Sequence, residues 1–310
     1  MLFQVFNIVA PVFLIIASGY LAVNRKVITN EAVDGVMKFA VLIAIPCLLF
    51  RATSTLDVSL AFKWRPLAAY YAAAVFSFGL SIFISRKYFN RRPGEAVAIG
   101  FAALFSNLVM LGLPINERAW GLENMAPNVA LIAVNAPICY LIGITAMEIS
   151  RADGRSMLAT SKVVINAMFR NSLMIGISLG LTVNFLSIPM PETLSAAVNL
   201  LANAAIPVAL FGLGGVLTRY SMSQNRAEAG VISTLSLVMQ PALALLVGNL
   251  LELNDAVIKS IVLMSAMAPG LNAYLFSSMY QRGEAVAASS VVMSTILSVI
   301  TISLWLLLLS

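Results

Sequence analysis

The sequence predicts an all-α polytopic membrane protein: ten transmembrane helices in two inverted five-helix repeats, with broken, crossing helices 4 and 9. Three observations carry this. Of 310 residues, 60% are hydrophobic and 10% charged, where a soluble domain carries about 25% charged residues. Ten apolar stretches run almost end to end, each close to the roughly 20 residues that cross a bilayer. Two of them are interrupted at corresponding places, by Ser106-Asn107-Leu108-Val109-Met110-Leu111-Gly112-Leu113-Pro114 and by Met267-Ala268-Pro269-Gly270-Leu271-Asn272.

The expected spans lie near residues 3–23, 34–53, 66–86, 95–116, 127–149, 163–186, 194–218, 229–251, 256–280 and 284–309. The first begins the chain without a basic leader, so it reads as a span rather than a cleaved signal peptide. It carries Pro11 and ends before Arg25 and Lys26. The second holds Pro46 and the third opens at Pro66, where a missing N–H costs little. The fourth opens behind Pro93 and contains the first break. The fifth opens at Pro127 and holds Asn135 and Pro137. The sixth needs only its apolar run. The seventh opens behind Pro189 and Pro191 and carries Asn199, Asn203 and Pro207; those two asparagines read as bonds to neighbouring helices or as lining the path, as Pro207 does. The eighth holds Pro241, the ninth the second break, and the tenth opens at Gly283-Glu284. Pro11 and Pro241 read as simple kinks, which are common in membrane helices.

Lysine and arginine set the expected orientation. With the N-terminus outside, the inner loops hold Arg25, Lys26, Arg86, Lys87, Arg91, Arg92, Arg151, Arg155, Lys162, Arg170, Arg219, Arg226 and Arg282. The outer loops hold Arg51, Lys63, Arg65, Arg118 and Lys259, and Lys38 sits near the inner end of span 2. The excess favours both termini outside, in a plasma (cytoplasmic) membrane. Five spans per half is odd, so halves 1–155 and 156–310, joined near 150–162, would be inverted. Ile45-Pro46-Cys47-Leu48-Leu49-Phe50 resembles Ile206-Pro207-Val208-Ala209-Leu210-Phe211, and the same offset carries one break close to the other.

Composition also excludes. There is no histidine, which removes the usual metal ligand and the usual proton switch and makes a Ser-His-Asp triad impossible. Cys47 and Cys139 lie inside spans, so neither a disulfide nor a zinc site is expected. No Walker motif is present, so ATP is not the energy source. The positive charges sit in short loops, so the net charge of +6 does not point to nucleic acid. No metal or cofactor is expected, and the protein reads as not an enzyme. The acids expected at span ends or in loops include Asp57, Glu95, Glu148 and Glu284, and none was expected at mid-span, which argues against a cation antiporter.

Unwound backbone is tolerated in a membrane only against protein or a water-filled cavity. Two such breaks at matching points of two halves are the sequence signature of a transport site. In span 4, Pro114 cannot bond the carbonyl of Met110 and Gly112 lets the chain leave helical geometry; in span 9, Pro269 frees the carbonyl of Ser265, with Gly270 and Asn272 beside it. Crossing half-helices would present free N–H groups and partial positive charge, which attract a carboxylate without an arginine. Asn107, Asn135, Asn272 and Ser106 are therefore the expected substrate-binding residues. The alternative for each asparagine is an interhelical hydrogen bond worth about 1 kcal/mol.

The stretch Asn107 to Pro114, the Pro269-Gly270 pair, Ile138-Cys139-Tyr140 through Glu148, and the two Ile-Pro spans resemble the auxin efflux carrier family over essentially the whole chain. Plant members carry a proline immediately before the span 4 asparagine, where Ser106 stands here. The chain also lacks a long central loop, like short prokaryotic members labelled malate or malonate permeases. The resemblance implies a homodimerising scaffold of spans 1, 2, 6 and 7, with Pro46 and Pro207 lining it, and a transport domain of spans 3–5 and 8–10. It implies elevator-type carriage of a small carboxylate, bound by Asn107 and lined by Asn135. A sodium-coupled carrier of bile-acid type and a non-transporting membrane sensor are the open alternatives.

Overall fold

The computed structural model describes residues 2–55, 63–121, 126–151, 172–220 and 225–310. It is helical, with α1 over Leu2–Asn24, α2 over Asn30–Ser54, α3 over Trp64–Tyr88 and α4 over Pro93–Leu104. Helix α5 begins with Leu108–Gly112 and continues over Leu113–Trp120. Then come α6 at Ala126–Arg151, α7 at Ser172–Phe185, α8 at Glu192–Leu217 and α9 at Arg226–Leu250. The last are α10 at Asp255–Ser265, α11 at Leu271–Tyr280 and α12 at Glu284–Leu309.

Seven of these (α1, α2, α3, α6, α8, α9 and α12) are long and apolar enough to cross a membrane. Where spans 4 and 9 are expected, the helices are interrupted: each place holds a pair of short helices, α4 with α5 and α10 with α11. The expected start of span 6, the join near 150–162, Asp57, and the charges Arg155, Lys162 and Arg170 lie outside the described residues.

Prolines shape three helices in the same way. The widened turns Ala40–Ala44, Leu108–Gly112 and Leu235–Met239 each end two residues before a proline, namely Pro46, Pro114 and Pro241. Proline lacks an N–H and crowds the carbonyl four residues back, and one wider turn relieves that crowding. Pro241 is thus more than the simple kink expected of it. The carbonyl it frees, on Leu237, accepts from Trp305 Nε1 at 2.9 Å.

The chain forms two compact units. The smaller contains α1 from Pro11 onward, α2, α7 and α8. Glycines bring its backbones together. A Cβ on Gly19 would clash with the Phe211 carbonyl, and one on Gly214 with the Ile16 carbonyl, so α1 and α8 touch main chain to main chain. A Cβ on Gly180 would lie 2.5 Å from the Phe50 carbonyl, and Gly176 is pressed on Pro46, so α2 and α7 do the same. Small residues at helix crossings are how membrane helices gain packing without a hydrophobic drive. The contacts recur at a fixed spacing. Gly19 with Phe211 and Gly180 with Phe50 are one pattern displaced by 161 residues. Gly214 against Ile16 matches Thr53, whose hydroxyl donates to the Ile177 carbonyl at 3.4 Å, at the same displacement.

The larger unit contains the start of α1 through Ala10, helices α3 to α6, and α9 to α12. Helix α4 lies at its centre, buried along almost its whole length. Phe101 of α4 stacks on Phe276 of α11, with ring centroids 3.9 Å apart. At the start of α9, buried Glu228 binds Arg91, which also reaches Glu95 at 2.7 Å. Burial works against the Arg91 charge, but the two carboxylates outweigh it and raise the guanidinium's affinity for its proton.

Gly214→Ala is expected to destabilise the protein by about 2 kcal/mol, the usual range for forcing atoms into a packed contact. Gly79→Ala, which meets nothing within 4 Å, is expected to be neutral or slightly stabilising. Thermal unfolding of the purified protein in detergent distinguishes the two.

Candidate functional site

The unwound stretches are short. Residues 105–107 separate α4 from α5, and residues 266–270 separate α10 from α11. They pair with each other as an antiparallel bridge between Ser106 and Pro269. Asn107 N donates to the Ala268 carbonyl at 2.9 Å, and Gly270 N donates to the Phe105 carbonyl at 3.2 Å. The two breaks thus satisfy one another's backbone, as burial requires.

The break in span 4 is narrower than the expected one. Gly112 has helical angles, φ −64° and ψ −50°, so it does not release the chain from helical geometry. Its lack of a side chain serves close packing instead, since a Cβ there would lie 2.6 Å from Met264 Sδ. Pro114 likewise lies inside α5. Pro269 lies beyond the end of α10, in the bridge itself, where no helical bond remains to be removed. Gly270 caps α11, and a Cβ on it would sit 3.4 Å from Asn107 Cβ.

Asn107 is the N-cap of α5: its Oδ1 accepts from Met110 N at 3.2 Å. An asparagine amide has one acceptor end and one donor end. The helix N–H claims the oxygen, so the NH₂ end must face away from the helix, and it has no partner among the described residues. Asn272, in the first turn of α11, accepts from the Tyr140 hydroxyl at 3.4 Å. Asn135 of α6 accepts from the Tyr71 hydroxyl at 3.5 Å and from Cys139 Sγ at 3.4 Å. Cys139 also reaches the Leu104 carbonyl, at the end of α4, at 3.9 Å. All three amide oxygens are occupied, and all three NH₂ groups have no partner among the described residues. The N–H groups of Val109, Leu271 and Asn272 have no backbone acceptor among them either.

This end of the crossover is therefore rich in donors, with the positive ends of two helix dipoles added. Asn107 is 7% exposed and Asn135 4%, so a bound anion would meet little competing water. The Ser106 hydroxyl is engaged: Gln240 Nε2, following the widened turn of α9, donates to it at 3.4 Å. Tyr140 also packs against Phe101, Phe105 and Phe276. Sequence reasoning missed Tyr71, Tyr140 and Gln240, because nothing in helical periodicity says which buried polar tip meets which amide. In the smaller unit, Pro207 lines an apolar depression of about 370 Å³ with Ile15, Val36, Val208 and Phe211, whereas Pro46 packs against Gly176. Asn203 accepts from Arg51 at 2.8 Å, the inter-helix bond expected of it.

Apolar helices broken and joined by a donor-lined crossover define an integral membrane protein of transporter type. The chain belongs to the family described as Membrane transport protein, whose model matches residues 4–306, and this is the auxin efflux carrier family that its span 4 resembles. It is 26% identical over 308 residues to a Rhizobium meliloti (strain 1021) protein named "Putative malonate transporter", covering 97% of this chain and 94% of that one. It is 23% identical over 300 residues to an uncharacterized transporter of Methanothermobacter thermautotrophicus, covering 96% of each. It is 20% identical over 306 residues to another of Methanocaldococcus jannaschii, covering 96% of this chain and 97% of that one.

Asn107→Ala removes the α5 cap and is expected to cost about 1 kcal/mol of stability. Asn107→Asp caps equally well and is expected to keep the wild-type melting temperature, measured by differential scanning fluorimetry.

Proposed function

We propose that this protein is a secondary carrier of small organic anions, with a malonate-like dicarboxylate as its first candidate substrate, working by elevator-type alternating access. The observation that carries this is the orientation of Asn107. Its oxygen is pinned by the α5 N–H, so the group it offers is a donor, which suits a carboxylate and not a cation. Asn272 and Asn135 offer donors for the same reason, and the half-helix ends add positive potential. A carboxylate bound this way needs no arginine. The name of the Rhizobium relative points to the same substrate class.

Ten spans in two inverted halves, 1–155 and 156–310, account for the contacts repeated at 161 residues in the smaller unit. They also account for the reciprocal bonds of the two breaks. In this reading the smaller unit is the homodimerising scaffold and the larger one carries the substrate, in the plasma membrane with both termini outside. Ser106 acts as a support of the crossover rather than a substrate ligand, since its hydroxyl is turned to Gln240.

Reconstituted liposomes test the proposal with labelled malonate, malate and indole-acetate, with and without sodium and pH gradients. Saturable uptake of a small dicarboxylate is expected, falling by more than about tenfold in Asn107→Asp, where a repelled and unpaired anion replaces a charge-assisted hydrogen bond. Unchanged uptake in that folded variant would overturn the site. Uptake of no acid under any gradient would overturn carriage of these acids, and strict sodium dependence would move the reading to a sodium-coupled carrier.

A further inference from the structure

Helix α1 runs unbroken from Leu2 to Asn24, yet the border between the two units falls inside it, between Ala10 and Pro11. Pro11 has no N–H, so the carbonyl of Asn7, four residues back, loses its helical partner. Arg118 takes it. Its Nη2 donates to the Asn7 carbonyl at 2.8 Å and its Nε to the Ile8 carbonyl at 3.1 Å. A guanidinium suits this task because its planar fork spans two acceptors at once, which an ammonium does not.

Arg118 sits in the last turn of α5, and Asn107 caps the first turn of the same helix. One short rod therefore carries the amide donor at one end and the clamp on α1 at the other. From these three facts we infer that Arg118 is a positioning residue that yokes residues 2–10 of α1 to the crossover arm. Pro11 is then the hinge at which α1 bends when the larger unit moves. A helix bends most easily where a backbone bond is already missing, and here the clamp and the unit border coincide with that point. Val5 and Val9 are buried beside the clamp, so the segment is held by packing as well as by Arg118. The hinge rests on the carrier reading, which supplies the motion; the clamp does not.

Spin labels test both parts on a Cys47→Ser background, placed in pairs among Phe3→Cys, Tyr88→Cys and Phe185→Cys, all at exposed positions. The Phe3–Tyr88 distance, within the larger unit, is expected to be narrow and the same with and without malonate. The Phe3–Phe185 distance, from that segment to the smaller unit, is expected to change. Arg118→Leu should broaden the Phe3–Tyr88 distribution. It should also lower turnover by at least about tenfold, the low end for losing one charge-assisted bond, with malonate affinity unchanged; Arg118→Lys should recover part of the turnover. A Phe3–Tyr88 distance that changes with malonate, or stays narrow in Arg118→Leu, would overturn the inference. A Tyr88–Phe185 distance that never responds to malonate counts instead against the moving carrier, while the Arg118→Leu comparison still decides the clamp.

Discussion

A buried backbone with no water beside it must find its own hydrogen bonds, and the larger unit contains a place where two helices give theirs up together. At the crossover the bonds lost by span 4 are supplied by span 9 and the reverse, through Asn107 to Ala268 and Gly270 to Phe105. The same constraint recurs at two prolines that remove a donor. Trp305 takes the carbonyl freed by Pro241, and Arg118 takes the one freed by Pro11. Few of these partners are close in sequence. Each therefore ties two distant segments together.

At Asn107 the helix cap fixes which end of the amide is left over. An asparagine that must give its oxygen to the helix cannot also offer it to a ligand, so the helix itself selects a donor for the site. An aspartate would cap as well but would repel an anion. The same logic holds at Asn272 and Asn135, where tyrosine hydroxyls occupy the oxygens. Amide protons and helix ends gather positive potential without a buried cation, whose desolvation would be costly.

The two units use different packing chemistry. In the smaller, glycines let main chains touch, so side-chain rearrangement has little room. In the larger, α4 meets aromatic rings and hydroxyls that bond its carbonyls, Ser236 to Ala102 at 3.4 Å and Ser277 to Ala98 at 3.2 Å. Glu228 lies in the first turn of α9. It is buried, and Arg91 compensates it.

Much of this was legible in the sequence. Asparagine, glycine and proline clustered inside apolar runs are costly in lipid, so their paired occurrence marked the crossover, and Asn107, Gly270 and Pro269 lie in it. The extent of the break was not legible. Gly112 looks like a helix breaker in isolation, but its backbone is helical, and its missing side chain makes room for Met264. Nor were Tyr71, Tyr140, Gln240 or Arg118 legible, since each matters through a partner set by tertiary packing. Composition and periodicity determine that a chain must fold as apolar helices and where those helices must fail. Which groups repair each failure is decided by three-dimensional proximity, because a hydrogen bond depends on distance and angle and not on separation along the chain.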